Sequence, residues 1–84
     1  MTSLLQHIDR IPTGYSSGIF RNTRYGINKE IFNNGKSIKI YAEELRGTHF
    51  ISFNYYILQD KNFLKPCEMP EEDVIQFINE VEVL

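Results

Sequence analysis

The fold is decided by residues 25–58, which read YGINKEIFNNGKSIKIYAEELRGTHFISFNYYIL. Within this stretch, Asn34-Gly35 favours a two-residue type I′ turn, because both central residues of that turn need a positive φ. A second reversal is predicted at Arg46-Gly47. The two turns divide the stretch into three antiparallel strands, at about residues 24–33, 36–44 and 48–58.

Both turns place the same residues on one apolar face. The first turn pairs Ile31 with Ile38, Lys29 with Ile40, and Ile27 with Ala42; the second pairs Ala42 with Ile51, Ile40 with Phe53, and Ile38 with Tyr55. Side chains of a strand alternate between the two faces, so a slip of one residue would turn a strand inside out. The register is therefore strongly specified.

The flanking segments predict two helices and two further strands. Ser3 and Gln6 have the spacing of a capping box, and Pro12 ends the short helix that they begin. Residues 15–20 and 63–65 are predicted as strands, with the second at a sheet edge because a proline follows it. Pro70 suits the first position of a C-terminal helix. The apolar stripe of that helix consists of Val74, Phe77, Ile78 and Val81, widened by Ile75.

These elements predict one α+β domain that spans residues 1–84. Each helix has an apolar stripe that needs a partner, so we expect a two-layer sandwich. An antiparallel meander sheet of four to five strands forms one layer, and the N-terminal and C-terminal helices form the other, both on one face. The second face of the sheet then lacks a cover. Its predicted side chains are Glu30, Lys39, Tyr41, Ser52, Asn54 and Tyr56, with Phe50 nearby.

Composition narrows the classes of function. The chain has 84 residues and a net charge of −2, which argues against nonspecific binding to nucleic acid. It has no apolar run near the roughly 18 residues that a membrane span needs. The N-terminus has neither the basic nor the apolar region of a signal peptide. A single cysteine fits a reducing compartment. We therefore expect a cytoplasmic protein without membrane association.

The candidate binding site is the uncovered sheet face, with Lys39, Tyr41, Ser52, Asn54 and Tyr56 as its contact residues. In proteins that bind single-stranded nucleic acid, aromatic and cationic side chains on a sheet stack against the bases. Such side chains can also hold a peptide. Tyrosine and phenylalanine are also ordinary strand residues, whose cross-strand pairs stabilise sheets. The order helix, strands, helix departs from the alternation of the common RNA-binding sheet module. A protein or a small ligand is therefore the expected partner, and nucleic acid is not.

Motifs for chemistry are sparse. His7, His49 and Cys67 lack the ligand spacing of a zinc site, and the chain has no phosphate-binding loop, so neither a metal nor a cofactor is expected. Cys67 lies three residues before Pro70, where a helix N-terminus would activate a thiol, but four acidic residues crowd the same turn. Lys29 falls on the apolar face, and we expect its amine to reach solvent near a sheet edge.

Three segments of the chain are similar to one family. They are Arg24-Tyr25-Gly26; Tyr41-Ala42-Glu43-Glu44-Leu45 with Gly47-Thr48; and Leu64-Lys65-Pro66-Cys67-Glu68-Met69-Pro70. Together they resemble a family of short bacterial proteins, some of which carry the label peptide methionine sulfoxide reductase. The likeness covers nearly the whole chain.

Two functions follow as hypotheses. The first is a small binding module that uses the open sheet face and performs no chemistry of its own. The alternative, which the family label implies, is a thiol-dependent redox enzyme that uses Cys67. A reductase of that kind resolves its sulfenate with another thiol, and the chain has one cysteine. The sequence therefore favours the binding module. It leaves the oligomeric state open.

Overall fold

The structure is a computed structural model that describes residues 3–84. It contains two helices and a six-stranded antiparallel sheet in the order β5-β4-β3-β2-β1-β6. In chain order the elements are α1 (Leu4–Asp9), β1 (Gly14–Phe20), β2 (Thr23–Phe32), β3 (Ser37–Glu44), β4 (Phe50–Ile57), β5 (Asn62–Pro66), α2 (Glu71–Glu80) and β6 (Glu82–Val83). The α+β class predicted from the sequence is thus confirmed.

The predicted register of the central strands is confirmed. β2 pairs with β3 through Lys29 and Ile40, and β3 pairs with β4 through Ile40 and Phe53, as the two turns require. Ile40 and Phe53 are completely buried. Tyr41, one residue further along β3, is exposed. The alternation of side chains therefore separates a buried face of the sheet from an open one.

The turn between β2 and β3 has the predicted backbone with one addition. Asn34 and Gly35 both have positive φ, at 57° and 88°, and the Lys36 N–H donates to the Asn33 carbonyl at 3.2 Å. Asn33 also has a positive φ, so pairing of the strands begins one step further out, at Phe32 and Ser37. Asparagine tolerates this conformation better than most residues, which explains the Asn-Asn-Gly sequence.

Gly35→Val is expected to lower the free energy of unfolding by at least about 1 kcal/mol, because a β-branched residue resists a positive φ. No atom lies within 4 Å of a Cβ built at Gly35, so the cost comes from the backbone alone. Urea denaturation measures it. Asn34→Gly is the matched control, and it should unfold at or above the wild-type midpoint. An unchanged midpoint for Gly35→Val would show that the turn relaxes away from this conformation.

The sheet has six strands, so the predicted number of four to five was too small. The addition is β6, in which Val83 lies opposite Gly18 of β1. A Cβ at Gly18 would lie 3.0 Å from the Glu82 carbonyl oxygen, so a glycine is needed where β6 crosses close to β1. A two-residue strand has too few positions for a periodic pattern, and its formation depends on this tertiary approach.

The core brings together the buried residues of both helices and the buried side of the sheet. Ser3 and Gln6 form the predicted capping box at the start of α1. Val74, Phe77 and Ile78 of the predicted stripe are buried in α2, Val81 is buried just after its end, and Ile75 is half-buried. Pro70 lies one position earlier than predicted, as the residue that precedes the first helical turn. Since α1 packs on α2, and α2 on β4 and β5, one continuous core holds the domain together.

Lys29 is buried, so the expectation of a solvent-exposed amine was wrong. Lys29 is only 4% exposed. Its Nζ donates to the carbonyl oxygens of Ile8, at 3.1 Å, and Ile11, at 2.8 Å. The C-terminal carbonyls of a helix lack partners within the helix, and a cation there also meets the negative end of the dipole. Lys29 therefore ties β2 to the end of α1. Burial lowers the pKa of the Lys29 amine, and Asp9 opposes part of that decrease.

Candidate binding surface on the open sheet face

The open face consists of the side chains that alternate with the buried ones on β2 to β5. The register places Lys39 beside Asn54 and Tyr41 beside Ser52 on neighbouring strands. Tyr56 lies opposite Ser37 at the end of the same strand pair. The five predicted contact residues therefore share one continuous patch of the sheet. The backbone pairing of β3 with β4 positions them, and this pairing is fixed by the apolar residues on the reverse face.

An exposed aromatic pair lies at one end of this patch. The rings of Tyr41 and Phe50 are stacked, with centroids 6.0 Å apart and planes inclined by 25°. Each residue keeps 41% of its surface exposed. Tyrosine and other aromatic residues are enriched at interfaces, because they supply a large apolar area at a small cost in conformational entropy. The pair thus offers a rigid, partly apolar platform.

Ser52 differs from the other four predicted contact residues, because it is buried with 6% of its surface exposed. The Cys67 N–H donates to the Ser52 carbonyl at 3.0 Å, so the chain continues beside β4 after β5 ends. A small side chain between larger neighbours has little area left for a partner. Ser52 therefore supports the surface but offers little contact of its own.

β5 adds residues to the open face that the sequence reasoning did not include. Lys65 pairs with Asn54, and Phe63 pairs with Tyr56. The rings of Tyr56 and Phe63 lie 5.9 Å apart, and Phe63 is 48% exposed. The signal was present in the sequence, because a strand ending at Pro66 places alternate residues on the face that Asn54 and Tyr56 occupy.

Cys67 also lies on this face. The Asn54 Nδ2 donates to its sulfur at 3.7 Å, and the residue is half-buried. The hydrogen bond from Asn54 places the Cys67 sulfur at the surface of the sheet. This contact adds to the predicted position of Cys67, shortly before the start of α2. The four acidic residues that follow Cys67 in sequence lie at or before the first turn of α2.

A further aromatic residue covers the β1 side of the face. A Cβ at Gly26 would lie 2.6 Å from the Tyr15 hydroxyl oxygen, so the Tyr15 ring lies over this glycine. Tyr15 nevertheless remains 70% exposed. A glycine inside a strand often marks a close approach of another group, and Gly26 is such a position.

His49 belongs to a second cluster, at the junction of β3 and β4. The Tyr25 hydroxyl lies 2.8 Å from the His49 Nδ1, and the Glu44 N–H donates to the His49 carbonyl at 2.9 Å. Burial raises the pKa of the Tyr25 phenol, and the Glu44 carboxylate raises it further. Tyr25 therefore stays protonated and orients the imidazole. The hydrogen-bond partner of the His49 ring is thus Tyr25.

A cavity of about 710 Å³ lies at the Tyr56 end of the open face. Tyr56, Ile57 and Leu58 line it together with Asn33 and Lys36 of the β2–β3 turn. Its lining is mostly apolar, which is typical of a ligand pocket with a few polar groups to orient the ligand. A partner seated on Tyr56 would therefore reach into this cavity as well.

Neither a metal centre nor a membrane span is evident in residues 3–84. Within that range, no three side chains of His, Cys, Asp or Glu are arranged to hold a metal ion. Over the same residues, neither helix has the length and apolar character needed to cross a bilayer. Comparisons with protein families, with curated proteins and with solved structures find no significant match.

Proposed function

We propose that the protein is a small binding module whose open sheet face holds a protein or a small ligand. The observation that carries the proposal is the stacked pair of Tyr41 and Phe50, each 41% exposed on a face that also presents Lys39 and Asn54. Exposed aromatic groups surrounded by polar ones are typical of interface centres. The proposal places the protein in the cytoplasm, in keeping with its single cysteine.

The position of the helices supports this proposal. The buried residues of α1 and α2 pack with Ile27, Ile40 and Phe53, which alternate with the exposed residues of the sheet. We take both helices to lie on that buried side, which leaves the side chains of the open face available. Nucleic acid is the less suitable partner, because the net charge is −2 and Glu30 lies next to Lys39 on the face itself.

A pull-down from the cytosol of the source organism tests the proposal. Wild type is compared with a Tyr41→Ala, Tyr56→Ala double variant, and a Gln76→Ala, Glu72→Ala double variant on the exposed side of α2 is the control. We expect the partner to be lost with the sheet-face variant only, because truncation of aromatic anchors costs the most binding energy. Equal capture by all three proteins would move the interface away from the open face.

The second candidate function is a thiol-dependent redox enzyme of the methionine sulfoxide reductase type. The observation in its favour is the position of the Cys67 sulfur on the open face, 3.7 Å from the Asn54 amide nitrogen. The residue is half-buried, however, and the next step of such a reaction needs a second thiol to resolve the sulfenate.

Cys67→Ala is expected to keep both the fold and the partner that wild type captures. Wild type is expected to show no reduction of free or peptide-bound methionine sulfoxide with dithiothreitol, which would take the place of a resolving thiol. Product analysis of the sulfoxide and its thioether measures this. Turnover that is present in wild type and absent in Cys67→Ala would establish the enzyme and contradict the binding module.

A further inference from the structure

The charges of the open face follow a row that crosses four strands. Glu30 of β2 pairs with Lys39 of β3, Lys39 pairs with Asn54 of β4, and Asn54 pairs with Lys65 of β5. The row is therefore negative at one end and positive at the other. Its two ends are about 14 Å apart, at roughly 4.8 Å per strand, so Glu30 and Lys65 of one chain do not touch.

A parallel row carries the aromatic residues. Phe32 of β2 pairs with Ser37, Ser37 pairs with Tyr56, and Tyr56 pairs with Phe63 of β5. Phe32 and Phe63 are both about half exposed. The ends of this row thus present two phenyl groups, on the same strands that carry Glu30 and Lys65.

We propose that the open face binds a second copy of the chain, an inference that rests on the proposed function and names its partner. The two sheets lie face to face around a two-fold axis that runs parallel to the strands, between β3 and β4. Rotation about this axis places β2 over β5 of the second copy. Glu30 then faces Lys65 of the second copy, and Phe32 faces Phe63, and each contact occurs twice by symmetry.

The alternative orientation of the axis is unfavourable. An axis that runs perpendicular to the strands, along the charged row, would place each strand over itself, so that Glu30 would face Glu30 and Lys39 would face Lys39. Like charges opposed across an interface disfavour association. Charge complementarity therefore selects the axis along the strands.

The balance of charge on the face also fits a second copy. Over all six strands, this side of the sheet carries three carboxylates, Glu30, Glu43 and Glu82, and three cations, Arg24, Lys39 and Lys65. It is therefore neutral, although the whole chain has a net charge of −2. Two identical molecules therefore meet through a surface that adds no net repulsion. A strongly charged partner would not meet a complementary net charge on this face.

The available area indicates a weak and reversible dimer. Four overlapping strands at about 4.8 Å cover roughly 19 Å, and the rows extend over about 20 Å along the strands. The projected area is roughly 400 Å² per copy, and the accessible area of such a face is somewhat larger, so the total lies near the lower limit of about 1,200 Å² for specific interfaces. We expect a dissociation constant on the order of micromolar.

Sedimentation velocity over a range from low to high micromolar concentration tests this arrangement. Wild type is expected to shift from monomer to dimer. Glu30→Lys alone and Lys65→Glu alone each create like-charge contacts, and each should weaken dimerisation at least tenfold. The double variant Glu30→Lys with Lys65→Glu restores opposite charges and should recover the dimer. Glu72→Lys, on the exposed side of α2, is the control and should dimerise as wild type does.

The outcomes separate this inference from the proposed function. A chain that stays monomeric over the whole range overturns the dimer, and so does a dimer that both single reversals leave intact. Loss of the dimer in Glu30→Lys that is rescued by Lys39→Glu, and not by Lys65→Glu, overturns the placement of β2 over β5. In each of these cases the proposed function still stands, provided that the Tyr41→Ala, Tyr56→Ala variant loses its captured partner. If that variant captures as wild type does, the proposed function fails as well.

Discussion

Ile40→Asp is expected to unfold the domain, whereas Tyr41→Asp, one residue further along β3, is expected to leave it folded. Ile40 is completely buried in the core, opposite Lys29 on one side and Phe53 on the other. An unpaired carboxylate at this position costs several kcal/mol, out of a total stability of about 5–10 kcal/mol for a small domain. Tyr41 is on the open face, where a carboxylate stays hydrated.

Circular dichroism and thermal denaturation of the two variants measure this difference. Ile40→Asp should show either no cooperative transition or a large decrease in melting temperature. Tyr41→Asp should retain the wild-type spectrum and a cooperative transition. A folded Ile40→Asp beside an unfolded Tyr41→Asp would mean that the two faces of β3 have been assigned the wrong way round.

Lys29→Met is expected to lower the free energy of unfolding by about 1–3 kcal/mol, because a buried carbonyl without a donor carries a penalty of that size. The Ile11 carbonyl accepts from the Lys29 amine at 2.8 Å, and methionine fills the space without donating. Lys39→Met, at an exposed position on the open face, is the matched control, and it should change stability by no more than about 0.5 kcal/mol. Urea denaturation at neutral pH measures both variants.

The same pair of proteins tests the burial of the Lys29 amine through pH. Burial lowers the pKa of this amine in the folded state, so the unfolded chain binds more protons between the lowered value and the usual value of about 10.4. The free energy of unfolding of wild type should therefore rise, relative to Lys29→Met, as the pH approaches about 10. Tyr25 titrates equally in both proteins and cancels in the difference. A difference that is constant with pH, or that falls, would contradict the buried amine.

The sequence determines the centre of the sheet because two separate turns impose the same alternation. The first turn pairs Ile40 with Lys29, and the second turn pairs it with Phe53. The burial of Ile40 and Phe53 follows from this register. Lys29 could not be placed in this way, because the alternation gives the face of a side chain and not the position of the helix that receives it. One carbonyl acceptor, that of Ile8, lies in α1, and the other, that of Ile11, follows its end; the packing of this segment is a tertiary event.

The exposure of surface residues is hard to predict for the same reason, because it depends on tertiary packing. Tyr41 and Tyr56 were placed correctly because they belong to the two strands with the firmest register. Ser52 was predicted to be available but is buried, since its exposure depends on the chain that continues past β5. The sequence places Cys67 shortly before α2 but does not predict its contact with Asn54 across the sheet. A pattern within one strand carries little information about what the next segment covers.

The central claim is that the open sheet face is the binding surface, and hydroxyl-radical footprinting tests it most directly. Side-chain oxidation is compared between the free chain at low concentration and the chain in its complex, whether with a captured partner or with a second copy. We predict protection of Tyr41, Phe50 and Phe63, while Leu84, which is 61% exposed at the end of the chain, is oxidised equally in both states. Protection confined to α2, with Tyr41 and Phe50 oxidised as in the free chain, would contradict the claim.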